Sequence, residues 1–182
     1  MSPMTVMPRQ SSEWTVDNLD SLPDDGLQYE LLDGVLVVTP APTPLHQRAV
    51  GRMFLLLTAA CPPDLEVFVA LLDWQPDSRT SLQPDLLVVA KNKIDQKRIT
   101  RNLALAVEVL SPATRRKDIV LKRSKYEDVG VPSYWVVDPE TPSFVAYELV
   151  GGHYVEVVYV DGDTAGEVSS PFPARVVPAE LV

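Results

Sequence analysis

The sequence has few of the residues that bind soft metals or form covalent cross-links. Cys61 is the only cysteine among 182 residues, which excludes an internal disulfide and any multi-cysteine zinc or iron–sulfur site. The two histidines, His46 and His153, stand far apart, and nothing in the sequence pairs them. Any metal ion is therefore expected to be a hard cation held by carboxylates. The scarcity of cysteine also fits a reducing, cytoplasmic setting without a disulfide-linked partner.

Long hydrophobic runs are missing as well. The longest, such as Met53 to Cys61, fall short of the roughly 20 residues that cross a bilayer. The stretch from Met1 to Trp14 lacks the basic region and the apolar segment of a signal peptide. We therefore expect a soluble, cytoplasmic protein without a membrane partner.

What the chain does contain is enough apolar sequence to fold. Apolar residues make up 46% of it, which is typical of a globular protein rather than a disordered one. A length of 182 residues predicts a single domain over 1–182. We place its core at about 14–160 and a C-terminal tail at 161–182.

The order of predicted elements favours a mixed α/β (α+β) fold, with a central mixed sheet flanked by helices and a β-hairpin near each end. The predicted helices cover 14–22, 45–60 and 111–129. The predicted strands cover 66–74, 85–90, 103–110 and 134–137, with hairpins over 29–39, turned by Asp33-Gly34, and 144–160. Residues 75–83 are predicted as a polar loop, 91–102 as a basic connection, and 171–182 as an irregular tail with one helical turn.

Charge is distributed unevenly along the chain. The net charge of −9 argues against nucleic acid, but the stretch from Lys91 to Lys125 holds eleven basic and three acidic residues. That stretch carries +8, which leaves −17 for the other residues. Such a segment is typical of a polyanion-binding face, and a solvated loop and helix surface explains it equally well. The candidate nucleic-acid contacts are Arg115, Arg116, Lys117, Arg123 and Lys125.

One charge interrupts the apolar run from Leu103 to Leu110, and it belongs to Glu108. The run is followed by Ser111-Pro112, and it reads as a strand buried on both faces. An ionised carboxylate there costs several kcal/mol unless a partner charge or a metal ion meets it. Glu108 therefore predicts a partner.

Two further charges stand where packing alone would not place them. Asp85 is the first residue of the strand predicted over 85–90, although aspartate is disfavoured in strands. The structural alternative is that Asp85 simply ends the preceding loop. Lys122 falls within the apolar stripe that Ile119, Tyr126 and Val129 form on the helix after Glu108. A lysine whose stem packs while its ammonium reaches water gives the same pattern.

Together the three charges form a simpler hypothesis. The basic connection returns the Asp85 strand to the side of the Glu108 strand, and the following helix brings Lys122 over the same end of the sheet. Two converging carboxylates repel each other unless a divalent cation lies between them, and Mg²⁺ suits such a site. A nearby ammonium would position water or neutralise charge in a transition state.

These residues also resemble a known family. Pro84-Asp85, followed by Glu108-Val109-Leu110, resembles the PD-(D/E)XK nuclease signature, and the wider pattern is similar to the Uma family of restriction-endonuclease-like proteins. The resemblance covers about 14–149. Its segments are Tyr29-Glu30-Leu31-Leu32-Asp33-Gly34, Gln83-Pro84-Asp85-Leu86, Glu108-Val109-Leu110-Ser111-Pro112 running on to Tyr126, and Gly130-Val131 to Asp138.

The resemblance implies a restriction-endonuclease-like core with a Mg²⁺-dependent phosphodiesterase site, in which Mn²⁺ substitutes. It implies that Asp85, Glu108 and the backbone carbonyl of Val109 bind the metal. Glu30 would match an additional acidic residue, although an exposed strand glutamate explains it equally. The simple motif has lysine where this chain has Leu110, and Lys122 matches a lysine moved to the following helix.

Three more residues are candidates for lining the site or contacting phosphate. They are His46, Gln83 and Tyr126. Each also has a purely structural explanation: His46 starts a helix, Gln83 ends a loop, and Tyr126 belongs to the core.

The leading hypothesis is a metal-dependent endonuclease that hydrolyses phosphodiester bonds in DNA, with Asp85, Glu108, Lys122 and Glu30 as catalytic residues. Cutting both strands of a duplex favours a homodimer. The alternative is a catalytically weak or inactive nuclease-fold module that binds nucleic acid or a protein partner. An unrelated α/β domain with chance charges is a third interpretation.

Overall fold

The structure, a computed structural model, describes residues 14–19, 21–23, 27–39, 41–94, 98–100, 102–111 and 117–182, with the backbone alone at 117–119. Its helices are α1 (Val16–Leu19), α2 (Pro44–Ala60) and α3 (Arg123–Val129). A π-helical segment at Lys117–Lys122 leads into α3, and short 3-10 helices lie at Lys91–Lys93 and Pro178–Leu181. The strands are β1 (Gln28–Leu32), β2 (Val35–Thr39), β3 (Leu65–Val69), β4 (Trp74–Asp77), β5 (Thr80–Leu82), β6 (Leu86–Ala90), β7 (Leu105–Val109), β8 (Ser133–Asp138), β9 (Ser143–Val150), β10 (His153–Asp161), β11 (Gly166–Val168) and β12 (Ala174–Val176).

The central sheet has six strands in the order β10-β9-β8-β7-β6-β3. The β7–β8 pair is parallel and the other pairs are antiparallel. All five residues of β7 are buried, because α2 packs on one face of the sheet and α3 on the other. The buried strand predicted around Glu108 is thus confirmed, and so is the mixed α+β class with hairpins near both ends.

A second sheet of four strands, in the order β2-β1-β5-β4, lies beside the site. Its first hairpin turns at Asp33 and Gly34, both at positive φ (50° and 83°), which is the turn that the Asp-Gly pair predicts. The polar loop predicted over 75–83 is wrong, since β4 and β5 form a hairpin there and Ser81 of β5 pairs with Leu31 of β1.

The reason for this difference is tertiary. Thr80 and Ser81 are buried, but their polarity is typical of a loop, and only pairing with β1 gives them strand geometry. The strand predicted over 66–74 is divided for the same reason, because β3 ends at Val69 and Trp74 begins β4. Local patterning cannot detect which sheet a strand joins.

The tail is more ordered than predicted. Its single helical turn is confirmed at Pro178–Leu181, but β12 lies inside the stretch 171–182 that is predicted to be irregular, and it pairs antiparallel with β11. Phe172, Val176 and Leu181 are buried in the core that α2 covers. Arg52 of α2 donates to the backbone oxygens of Glu180, at 3.1 Å, and of Val182.

Gly166 of β11 shows how closely this tail approaches the central sheet. A Cβ atom at that position would lie 2.8 Å from Val158 Cγ1 and 3.0 Å from Val160 Cγ2 of β10. Only glycine leaves room for this contact. Within the described residues, no helix is long and apolar enough to span a membrane.

Candidate active site

Glu108 projects from β7 toward α3 and is 2% exposed. Tyr126 Oη donates a hydrogen bond of 2.7 Å to its Oε1. Lys122 Nζ lies 3.3 Å from each carboxylate oxygen. Lys122 and Tyr126 are four residues apart, so the helical backbone places both side chains on the same face. The predicted encounter of Lys122 with Glu108 is present in the structure.

Glu30 joins the same group from the four-stranded sheet. Its Oε1 lies 3.0 Å from Lys122 Nζ and accepts a 2.7 Å hydrogen bond from the backbone N–H of Gln83. Glu30 is 3% exposed, so it is not the exposed strand glutamate of the structural interpretation. Two buried carboxylates therefore share one ammonium.

Asp85 immediately precedes β6 and lies beside the backbone of β7. Its Oδ2 accepts a 2.8 Å hydrogen bond from the N–H of Val109, and its Oδ1 lies 3.3 Å from His46 Nε2. His46 is in the first turn of α2, where its backbone N–H donates to the capping hydroxyl of Thr43. The structure therefore brings Asp85 and His46 to the end of β7 that carries Glu108.

Tyr126 is fully buried, stacked against Trp74 with 5.3 Å between ring centroids. Burial, together with the nearby charge of Glu108, raises the pKa of the Tyr126 hydroxyl well above its usual value. The hydroxyl therefore keeps its proton and donates it to Glu108 in the hydrogen bond. Tyr126 is part of the core, as the structural interpretation held, and it also contacts the site.

Gln83 connects two acidic residues at the edge of the site. Besides the bond from its backbone to Glu30, its Nε2 donates to Asp73 Oδ1 at 2.9 Å. Sequence reasoning did not select Asp73, which falls inside a segment that was predicted as one continuous strand. Its position between the end of β3 at Val69 and the start of β4 at Trp74 is visible only in the structure.

The predicted nucleic-acid contacts divide into two groups. Arg115, Arg116 and the side chain of Lys117 lie outside the described residues. The Arg123 guanidinium stacks over the Tyr147 ring, 4.2 Å from its centroid, and donates to the Tyr154 carbonyl at 3.4 Å. The two described candidates, Arg123 and Lys125, both contact other parts of the protein.

Lys125 pairs with carboxylates from two hairpins. Its Nζ lies 2.6 Å from Asp33 Oδ1 and 2.9 Å from Asp77 Oδ2. Burial lowers the pKa of Lys125, but the hydrogen bonds to Asp33 and Asp77 outweigh it and raise that pKa above its usual value. Burial likewise raises the pKa of Asp77, and bonds from Lys125 and the Arg79 backbone outweigh it and lower that pKa. These ion pairs connect α3 to the two hairpins of the four-stranded sheet.

We expect Lys125→Met to lower the free energy of unfolding by about 0.5–1 kcal/mol at pH 7, because both carboxylates are partly exposed and solvent screens the pairs. The lowered pKa of Asp77 means that its contribution is present above pH 3.8, its ordinary value, and is lost as the pH falls through the folded-state pKa. Urea denaturation at pH 7 and pH 2.5 measures both effects. A loss of equal size at pH 2.5 would show that packing, not charge, is responsible, and Lys91→Met on the exposed surface is the control.

The acidic side chains at the site, Glu30, Asp85 and Glu108, offer oxygen donors to a metal ion. Among the described residues, no group of three or more His, Cys, Asp or Glu side chains is arranged to hold a metal ion. The arrangement instead offers two carboxylates near the end of β7, Glu108 on the strand itself and Asp85 on the backbone N–H of Val109. One or two carboxylates with further oxygen ligands are the set that Mg²⁺ accepts.

Comparison with known proteins agrees with this fold. Residues 16–180 match the Uma2 family, described as putative restriction endonuclease, and the chain belongs to that family. Its structure is similar to the crystal structure of a putative nuclease belonging to DUF820 from Anabaena variabilis ATCC 29413. The TM-score is 0.72 at 17% identity, over 92% of this chain and 96% of that one. The search of curated proteins gives no significant match.

Proposed function

We propose that this member of the restriction-endonuclease-like family is a metal-dependent endonuclease that hydrolyses phosphodiester bonds in DNA. The observation that carries the proposal is the position of Glu108. Its carboxylate is buried on β7, where Lys122 and Tyr126 contact it. Asp85 accepts a hydrogen bond from the backbone N–H of the following residue, Val109. Stability alone does not require such a group, since a hydrophobic cluster of equal volume is often as stable as a buried ion pair.

The metal ligands in this proposal are Asp85, Glu108 and the carbonyl of Val109, with Glu30 as an additional acid. The ligands in this set are carboxylate and carbonyl oxygens, the hard donors that Mg²⁺ accepts. The N–H of Val109 points to Asp85, and the carbonyl of an extended residue points to the same side as its N–H. A bound Mg²⁺, or Mn²⁺ in its place, would polarise the phosphate and lower the pKa of a water ligand.

The other residues act through position and charge. The ammonium of Lys122 is held between two carboxylates, where it orients a water molecule or neutralises charge on the phosphate in the transition state. Tyr126 fixes one oxygen of Glu108, and His46 fixes one oxygen of Asp85. Gln83 holds Glu30 through its backbone. These three are positioning residues.

DNA is the proposed substrate, and the basic stretch from Lys91 to Lys125 would lie along its backbone. A homodimer would bring two sites to the two strands. A second function has specific support as well. The net charge of −9 and Leu110, where the simple motif has lysine, favour a nuclease-fold module that binds nucleic acid or a protein partner without cutting.

The test is plasmid and linear DNA cleavage by the purified protein with Mg²⁺, with Mn²⁺, and with EDTA. We expect cleavage only with a divalent cation. Glu108→Gln is expected to lower the rate at least about 100-fold, on the scale of losing one charge-stabilising group from a catalytic site. The matched control is Glu156→Gln on the exposed side of β10, which should leave the rate unchanged.

Melting temperature separates the two functions. For an endonuclease, Mg²⁺ or Mn²⁺ should raise the melting temperature of the wild type and not that of Glu108→Gln, because a ligand that binds only the folded state stabilises it. Equal cleavage by the wild type and Glu108→Gln would refute the site assignment. DNA binding without cleavage under any metal condition would favour the non-cutting module.

A further inference from the structure

A cavity lies along β8 and β9, beside Arg123 at the start of α3. Three apolar side chains line it, from Leu110, Val136 and Val145. Arg123 and Asp138 contribute one cation and one anion, and the ring of Tyr147 lies beneath the Arg123 guanidinium. None of the roles proposed above uses this cavity.

The cavity is next to the candidate active site. Glu108 of β7 and Val136 of β8 are register partners on adjacent parallel strands, and such strands are about 4.8 Å apart. Leu110 is two residues beyond Glu108, so both side chains point to the same face of the sheet. Glu108 and the cavity therefore lie on the same face of the sheet, about one strand apart.

Its chemistry distinguishes between the parts of a nucleotide. A phosphate would meet the carboxylate of Asp138 as well as the cation of Arg123, so the local charge does not favour it. The Asp138 carboxylate is held at the end of β8 by the backbone N–H groups of Glu140, at 3.1 Å, and Thr141, at 3.3 Å. A neutral, planar group with a polar edge matches the apolar walls, the guanidinium plane and the polar end.

We propose that this cavity binds one unstacked nucleobase of the nucleic-acid substrate. Unpaired bases stack on arginine planes and on aromatic rings in proteins that bind single strands, and the Arg123 guanidinium already lies over the Tyr147 ring. The proposal rests on the proposed nuclease function, since it takes nucleic acid as the ligand. It assigns to Arg123 contact with a base instead of the DNA backbone.

The test compares two polymers of equal length and charge, oligothymidylate and an abasic deoxyribose-phosphate chain, by fluorescence anisotropy in EDTA. The wild type should bind the polymer with bases about tenfold more tightly, the size of one stacked base. Arg123→Lys keeps the charge but loses the plane, and Val145→Phe fills the cavity. Both should bind the two polymers equally, whereas the control Arg48→Lys on the exposed side of α2 should keep the preference.

Circular dichroism and melting temperature establish that each variant is folded. Two different substitutions are used so that the test still stands if one variant does not fold. The proposal is overturned if the wild type shows no preference for bases, or if both cavity variants keep it. Metal-dependent plasmid cleavage, measured on the same samples, reports the proposed function separately. Cleavage without a base preference overturns the cavity assignment alone, and the absence of both binding and cleavage overturns the two together.

Discussion

Replacing Lys122 with methionine should lower the free energy of unfolding by about 3–5 kcal/mol and abolish cleavage. The ammonium is 3.0 Å from Glu30 and 3.3 Å from Glu108, and both carboxylates are almost fully buried. Removing one partner of a buried ion pair leaves a charge without compensation, and here it leaves two like charges facing each other. Equilibrium denaturation with urea measures the loss.

A double-mutant cycle identifies the cause. Glu30→Gln, added to Lys122→Met, removes one of the two facing carboxylates, so the double variant should be more stable than Lys122→Met alone. Lys91→Met, on an exposed lysine outside the site, should change the stability by less than about 0.5 kcal/mol. If Lys122→Met lowers the free energy of unfolding by less than about 1 kcal/mol, the ion pairs of Lys122 contribute no more than solvated surface pairs do, and the prediction is wrong.

Phe172→Ala should be nearly as destabilising, although it lies far from the site in sequence. The ring is 4% exposed and belongs to the core beneath α2. Truncating a buried phenylalanine to alanine costs about 3–5 kcal/mol through lost burial and the cavity left behind. The measurement is again equilibrium denaturation, with the midpoint and the slope followed separately.

The matched control is Val155→Ala on β10, where the side chain is 47% exposed. It should change the free energy of unfolding by about 0.5 kcal/mol or less. If the two substitutions cost the same, the tail does not form part of the core. If Phe172→Ala alone is destabilising, the segment after 161 belongs to the fold and is not an appendage.

The predictable elements were those whose pattern is local. The Asp33-Gly34 turn needs positive φ at both residues, and few other dipeptides provide it. The buried strand around Glu108 is apolar on both faces, and this pattern requires cover on both sides of a sheet. The position of Lys122 follows from helical periodicity, since Tyr126 is one turn away on the same face.

Other features depended on residues far apart in the chain. The hairpin of β4 and β5 has a polar sequence, and its strands exist because β1 pairs with β5. The ordered tail follows from the space that Phe172 and Val176 fill beneath α2. Asp73 had no local signal, because its link to the site passes through the side chain of Gln83.

The sequence by itself determined the class of the fold and the family. It also identified the three charges Asp85, Glu108 and Lys122, because each of them conflicts with the apolar pattern around it. Tertiary structure decided which groups meet. It buried Glu30 against Lys122, aimed Tyr126 at Glu108, and turned Arg123 and Lys125 toward protein partners. The physical reason is that periodicity fixes which face a side chain is on, whereas its partner is chosen by packing between distant segments.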